Sequence, residues 1–409
     1  MILRYITMKY LVVLADGMAD LPIDSLGGKT PLAFAKTPEM DALAPLSEVG
    51  TAHTIPAGMK PGSDTANLAV MGYDPKQYYT GRSPLEALSI GVDMASTDVA
   101  IRCNIVTLSD DNLPYEQKTI LDHSSSEIST ADAAVLLEAV RKQLEWEGYH
   151  FYVGTSYRHL LIWNRGNVVP LTPPHDILTR VVGEYLPADP VLREMQKRSY
   201  DILNNHPINV ERAKKGLNKA NSIWFWGAGT RPALSPFYEK SGLKGVMISA
   251  VDLLKGIAVG AGMRNITVPG ADGSLHTNYR GKAEAAVSAL LSEGADFAYI
   301  HVEAPDEMGH QGSAERKVQA IEFIDEQIVG VAKRALDASG EPYRMLILPD
   351  HPTPVALRTH TSDPVPYLLY DSTKKVNGPA VYTEETAAAS EYNFDEGYRL
   401  MGHFTQKED

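Results

Sequence analysis

An α/β fold is predicted, with a mainly parallel sheet covered by helices on both faces and a smaller inserted α+β domain. Three observations predict it. Short runs of apolar and β-branched residues at 10–14, 222–226, 296–302 and 344–348 read as strands buried on both faces. Patterned helices lie between them, at 281–292 and at 313–336, the latter with Val318, Ile321, Ile324, Ile328 and Val331 on one side. Finally, Asp16, Asp306 and Asp350 each follow one of the predicted strands. In such sheets ligands bind beyond the carboxyl ends of the strands, so three separate segments deliver carboxylates to one edge.

The middle of the chain has another character. Residues 98–108, 151–157 and 159–164 read as short strands, 130–147 and 189–204 as helices, and 167–174 as loop. This pattern places an inserted domain at 90–185, within a discontinuous core of 1–89 and 186–409. No internal repeat interrupts either part.

Bulk properties narrow the function classes. A chain of 409 residues is too long for one ordinary core. With 44% apolar and 22% charged residues it reads as globular. A net charge of −13 without a basic run disfavours nucleic acid and anionic membranes, which require positive surface. The single cysteine, Cys103, excludes an intramolecular disulfide framework and fits a reducing cytoplasm; it reads as a small buried hydrophobe. No apolar run approaches bilayer length, and residues 1–7 lack the apolar region of a signal peptide. A second start at Met8 is compatible with the strand that follows. The expectation is a soluble intracellular enzyme, and a small phosphorylated molecule is still permitted, since bound divalent ions can make one pocket locally positive.

The chemistry centres on Ser63, in Pro61-Gly62-Ser63-Asp64-Thr65-Ala66-Asn67. Serine is a poor nucleophile unless a base or metal activates it. At the start of a predicted helix it would face backbone N–H groups and the positive end of the helix dipole, which favour a phosphoryl group. The plainer reading is an N-cap. The other segments supply ligands: Asp306 and His310, four apart and on one face if helical, then the adjacent pair Asp350-His351, then His360. Carboxylate and imidazole together suit Mn²⁺, Zn²⁺ or Co²⁺. Two such ions about 4 Å apart would polarise phosphoryl oxygens and lower the serine pKa.

In combination, Ala15-Asp16-Gly17-Met18-Ala19-Asp20, the Ser63 segment, Gly81-Arg82-Ser83-Pro84-Leu85-Glu86-Ala87, Asp306-x-x-x-His310, Asp350-His351-Pro352-Thr353-Pro354 and Arg358-Thr359-His360-Thr361 resemble the cofactor-independent phosphoglycerate mutases. The match is to their archaeal-type branch, within the alkaline phosphatase superfamily, and it runs in order along nearly the whole chain. The resemblance implies an alkaline-phosphatase-like core and interconversion of 3- and 2-phosphoglycerate through phosphoserine at Ser63. It implies two divalent ions, Mn²⁺ first with Zn²⁺, Co²⁺ or Mg²⁺ as alternatives, and no bisphosphoglycerate. One ion would be held by Asp16, Ser63, Asp350 and His351, the other by Asp306, His310 and His360. His123, Arg102 and Arg158 in the inserted domain, and Lys282 outside it, would handle substrate. Arg102 stands out because it interrupts an otherwise apolar strand. Water must not reach the phosphoserine, so the inserted domain is expected to act as a lid.

Other features invite plainer readings. Trp226-Gly227-Ala228-Gly229-Thr230-Arg231 lacks the third glycine and downstream acid of a dinucleotide site, and reads as a loop. Trp224 and Trp226 read as packing, and His53, His276 and His403 as surface or hydrogen-bonded residues. Rival functions are a phosphotransferase of the same scaffold on another alcohol, such as a homoserine kinase, a metal-dependent phosphohydrolase, and a noncatalytic metal-binding protein. The oligomeric state is left open.

Overall fold

The structure is a computed structural model that describes residues 7–406; the expectations for residues 1–6 lie outside them. In chain order the strands are β1 (Lys9–Ala15), β2 (Ser47–Ala52), β3 (Val99–Leu108), β4 (Ile120–Asp122), β5 (Tyr149–Tyr152), β6 (Arg158–Trp163), β7 (Ser222–Thr230), β8 (Gly245–Ile248), β9 (Arg264–Asn265), β10 (Phe297–Val302), β11 (Tyr343–Leu348), β12 (Val365–Asp371) and β13 (Asn393–Phe394). They form two sheets, one in each of two units. One unit takes the chain up to Tyr79 and again from Leu234; the other is Thr80–Ala233.

The first unit holds an eight-stranded sheet in the order β13-β2-β12-β11-β1-β10-β8-β9. Only β12 runs against its neighbours; the other pairings are parallel. Every residue of β1, β10 and β11 is buried, as expected where both faces carry helices. Ala283, Ala286 and Leu290 of the helix Tyr279–Ser292 pack into one core with Leu11, Val13, Ile300 and Ile347. The helix expected at 313–336 is present, running without a break from Ala314 to Ser339 with a π-helical turn at Asp325–Val329. At that turn the Asp325 carboxylate accepts the backbone N–H groups of Glu39 and Met40 at 3.1 and 2.8 Å.

The second unit is an antiparallel sheet in which β3 is central and pairs with β4, β6 and β7, while β5 pairs with β6. Its boundaries differ from the expected 90–185: it begins earlier and ends later, because β7 and the helix Pro190–Leu203 belong to it. Leu192, Met195 and Leu203 share a core with Ile105, Ile223 and Phe225. The run 222–226 was expected in the parallel sheet and is instead antiparallel to β3. A strand covered on both faces is apolar throughout whichever way its neighbours run, so composition alone misplaced it. The strand also continues through Gly227 and Gly229 to Thr230, so the expected loop is not one. The strand expected at 151–157 lies earlier, at β5, and 153–157 make the turn into β6. Among the described residues no helix is long and apolar enough to cross a membrane.

Candidate metal centre

All seven predicted ligands lie in the first unit, and the parallel sheet explains how they meet. Asp16 directly follows β1, with its N–H bonded to Val302 O at the end of β10. Asp350 and His351 follow β11. Asp306 and His310 lie on one helix, Ala304–His310, that starts just after β10. Since β10, β1 and β11 are consecutive and parallel, their carboxyl ends deliver all five residues to one edge. Gly17, at φ +62°, lets the chain turn there: a Cβ would lie 2.7 Å from Asp306 Oδ1 and 2.6 Å from Thr353 Oγ1.

Ser63 is the first residue of the helix Ser63–Val70, whose N-cap is Gly62 without a side-chain capping bond. The plainer N-cap reading of Ser63 therefore fails. Its Oγ lies 3.1 Å from His351 Nε2, and the same nitrogen is 3.7 Å from Asp16 Oδ1 and 3.5 Å from Asp350 Oδ2. A second group forms around Asp306, whose Oδ2 is 3.2 Å from His310 Nε2 and whose Oδ1 is 3.4 Å from His360 Nε2. His310 and His360 approach to 3.0 Å through their Nε2 atoms. Donor atoms of Asp16, Asp306 and His351 also fall within 4.8 Å of one another, so Asp306 stands between the two groups.

The electrostatics of this cluster call for a cation. Burial, then the neighbouring Asp350 and Asp306 carboxylates, push the Asp16 carboxyl well above its ordinary range. Asp16 Oδ1 is buried with no hydrogen-bond partner, an arrangement that folded proteins rarely leave unanswered. His310 is pushed up to about 9, chiefly by its hydrogen bond to Asp306. Burial opposes ionisation of Asp306, yet the hydrogen bonds from His310 and His360 hold it well below the usual carboxylate range. A divalent ion would supply the positive charge that a proton supplies here. Three carboxylates, three imidazoles and a serine are donors that borderline divalent ions accept, so the residues present fit the metals that the resemblance implies.

Several residues that hold these donors went unassigned in the sequence. Asn67, one turn after Ser63, donates through Nδ2 to Ser63 O and Asp350 Oδ2, both at 2.8 Å, and accepts from Tyr299 OH at 2.7 Å. Its i+4 spacing from Ser63 was the available signal. Thr353 Oγ1 donates to Asp306 Oδ1. His301 Nε2 lies 2.9 Å from Asp16 Oδ2 and is pushed down to about 3 by burial. A polar residue in an apolar strand had drawn attention to Arg102 and marks His301 equally well.

The expected substrate residues divide between the units. Lys282 is fully buried in the first unit, with Nζ donating to His301 O at 2.9 Å, and burial lowers its pKa to about 8. In the second unit Arg102 is nearly buried and paired with Glu86 through two nitrogens, Nε to Oε2 at 2.7 Å and Nη2 to Oε1 at 2.5 Å. Its guanidinium lies 4.4 Å over the Trp226 ring. That ring meets His175 edge-on at 5.2 Å, His175 meets His123 at 6.1 Å, and His123 meets Tyr157 at 5.8 Å. Arg158 stacks over Tyr157 at 5.1 Å. The three predicted residues therefore belong to one continuous cationic and aromatic face. Trp226, expected to be packing alone, supports Arg102 and donates Nε1–H to Asn104 Oδ1.

A serine at a helix start, faced by three carboxylates and three imidazoles on the edge of a parallel sheet, defines an α/β enzyme of the metal-dependent class. Comparison with known proteins makes this specific. The family model described as 2,3-bisphosphoglycerate-independent phosphoglycerate mutase matches residues 44–209. The chain is 47% identical to the protein of that name from Methanosarcina barkeri, over 97% of this chain and 98% of the relative. It also resembles the solved structures of a Pyrococcus horikoshii protein (TM-score 0.80, 28% identity, 99% of each chain) and of the cofactor-independent phosphoglycerate mutase from Thermoplasma acidophilum (TM-score 0.67, 26% identity, 98% and 99%). The chain belongs to the 2,3-bisphosphoglycerate-independent phosphoglycerate mutase family.

Proposed function

We propose that this protein interconverts 3-phosphoglycerate and 2-phosphoglycerate through a phosphoserine at Ser63, with divalent metal and without bisphosphoglycerate or nucleotide. The name shared by its relatives supports the reading, and the observation that carries it is Ser63 Oγ at 3.1 Å from His351 Nε2 beside Asp16 and Asp350. Asp16, Ser63, Asp350 and His351 would hold one ion, and Asp306, His310 and His360 the other. Bound there, divalent ions lower the serine pKa and neutralise phosphoryl oxygens.

The chain's own residues then have distinct tasks. Ser63 Oγ loses its proton and attacks phosphorus in line; the Oγ–P bond forms, the ester P–O bond breaks, and the departing glycerate oxygen takes up a proton. The N-terminal position of Ser63 on its helix favours the transferred negative charge. In the second half the other glycerate hydroxyl loses its proton and attacks, which restores free Ser63 and gives the isomer. Arg102, Arg158 and His123 would bind the carboxylate and phosphate of the substrate, guanidinium being suited to both. Glycerate must be retained and water excluded between the halves, because hydrolysis of phosphoserine would make the enzyme a phosphatase. An intracellular setting fits such a substrate.

The test is an assay of Mn²⁺-loaded protein with 3-phosphoglycerate alone, following 2-phosphoglycerate and free phosphate, beside Ser63→Ala. Isomerisation with little free phosphate, lost in Ser63→Ala and after chelation, is expected. Phosphate release without isomerisation would turn the reading to a phosphohydrolase. Inactivity with metal bound would turn it to transfer between ATP and another alcohol.

A further inference from the structure

We infer that His301, with Ser249 behind it, is a positioning residue of the metal centre: it holds one oxygen of Asp16 so that the other alone faces an ion. The inference rests on the reading of Asp16 as a ligand.

His301 stands in the buried strand β10, where Tyr299 is the one other side chain with a polar group, and it is fully buried. A buried imidazole is costly unless its nitrogens are satisfied, and here both are. Ser249 Oγ lies 3.2 Å from Nδ1, and Nε2 lies 2.9 Å from Asp16 Oδ2. Ser249 Oγ already accepts the Val251 N–H at 3.0 Å. With Asp16 ionised, as a metal ligand must be, one proton arrangement serves every contact. Val251 N–H donates to Ser249, the serine O–H donates to Nδ1, and Nε2–H donates to the carboxylate. The reverse tautomer would set a nitrogen lone pair against a carboxylate oxygen.

The relay is built on the rigid part of the sheet. Ile248, the last residue of β8, pairs with Ile300, and Leu14 pairs with His301. Ser249, His301 and Asp16 thus come from the carboxyl ends of three adjacent parallel strands. Lys282 Nζ fixes the His301 carbonyl at 2.9 Å. The result is an unequal carboxylate: Asp16 Oδ2 has a fixed donor, while the buried Oδ1 has none and points toward His351 Nε2, 3.7 Å away. A hydrogen bond to the far oxygen of a ligand carboxylate fixes its orientation, and losing such a partner typically costs 10–100-fold in metal affinity.

The test is Mn²⁺ titration of metal-free protein, reading the free ion by electron paramagnetic resonance, with thermal melting of each metal-free variant. Asp16→Asn and Asp306→Asn assign the two binding steps. His301→Leu is expected to weaken the step lost in Asp16→Asn by 10–100-fold and to leave unchanged a step that depends on His310 and His360 without Asp16. His301→Gln, which keeps a donor, should recover most of the loss, and Ser249→Ala should weaken the same step several-fold. Unchanged affinity in a folded His301→Leu protein, with the step still lost in Asp16→Asn, overturns the inference alone. Unchanged binding in Asp16→Asn overturns the reading on which it rests. If His301→Leu melts below the assay temperature, Ser249→Ala decides: wild-type affinity in that variant refutes the relay.

Discussion

Lys317→Met tests whether a buried ion pair away from the chemistry holds the metal loops in place. Lys317 and Asp20 are both without exposed side-chain surface, with Nζ 2.7 Å from Asp20 Oδ2. The same ammonium donates to Thr353 O at 2.9 Å and Ala19 O at 3.2 Å. Asp20 in turn accepts the N–H of Val355 at 3.1 Å. One contact set thus joins the segment after β1, the helix Ala314–Ile324 and the segment after β11. Methionine keeps the length and bulk of the stem but removes the charge and all three donated bonds. An uncompensated carboxylate left in such a place costs about 3–5 kcal/mol. In a unit of this size each kcal/mol lowers the melting temperature by roughly 2–4 °C, so a drop on the order of 10 °C is expected in the metal-free protein. Urea denaturation supplies the free energy directly. Metal affinity should fall as well, since Thr353 carries the hydroxyl that donates to Asp306. The double variant Asp20→Asn/Lys317→Met has no orphaned charge and should lose less than Lys317→Met alone. A loss below about 1 kcal/mol in the single variant, or additive losses in the double, would refute the argument.

Asn67→Ala should destabilise the protein by about 2–4 kcal/mol in urea, because the donor to Asp350 and the acceptor of Tyr299 are lost together in a buried place; a change under about 1 kcal/mol would contradict this. His159 in the second unit is buried and pushed down to about 4 by burial. Its folded pKa is thus depressed below the ordinary 6.5, so the unfolded chain binds the proton more tightly. The neutral ring's contribution is present above pH 6.5 and is lost as pH falls toward 4. Between pH 7 and 5 about 2 kcal/mol of stability should disappear, and His159→Gln should flatten that part of the profile measured in urea. An equally steep profile in the variant would show that other groups control the acid limb.

Most of the candidate ligands were legible in the sequence because they sit at breaks in strongly patterned runs, whereas the role of His360 came from the resemblance. Asp16 and Asp350 end apolar strands, and Asp306 and His310 have helical spacing. Those signals are local: a residue's place at a strand end follows from the residues around it. The same locality explains what was lost. The run 222–226 is apolar enough for either sheet, and only its pairing with β3 placed it and the helix Pro190–Leu203 in the second unit.

By itself, then, the sequence determined the type of fold and pointed to a candidate nucleophile and a candidate set of donors. The tertiary structure decided how they are used. That Ser63 meets His351 instead of capping its helix depends on the helix Ser63–Val70 reaching the end of β11. That one oxygen of Asp16 is held and the other left open depends on the register of β8, β10 and β1. Hydrogen bonds between residues more than 200 positions apart leave no periodicity in the chain, so Asn67 with Asp350, His301 with Asp16 and Lys317 with Asp20 become visible only once the strands are paired.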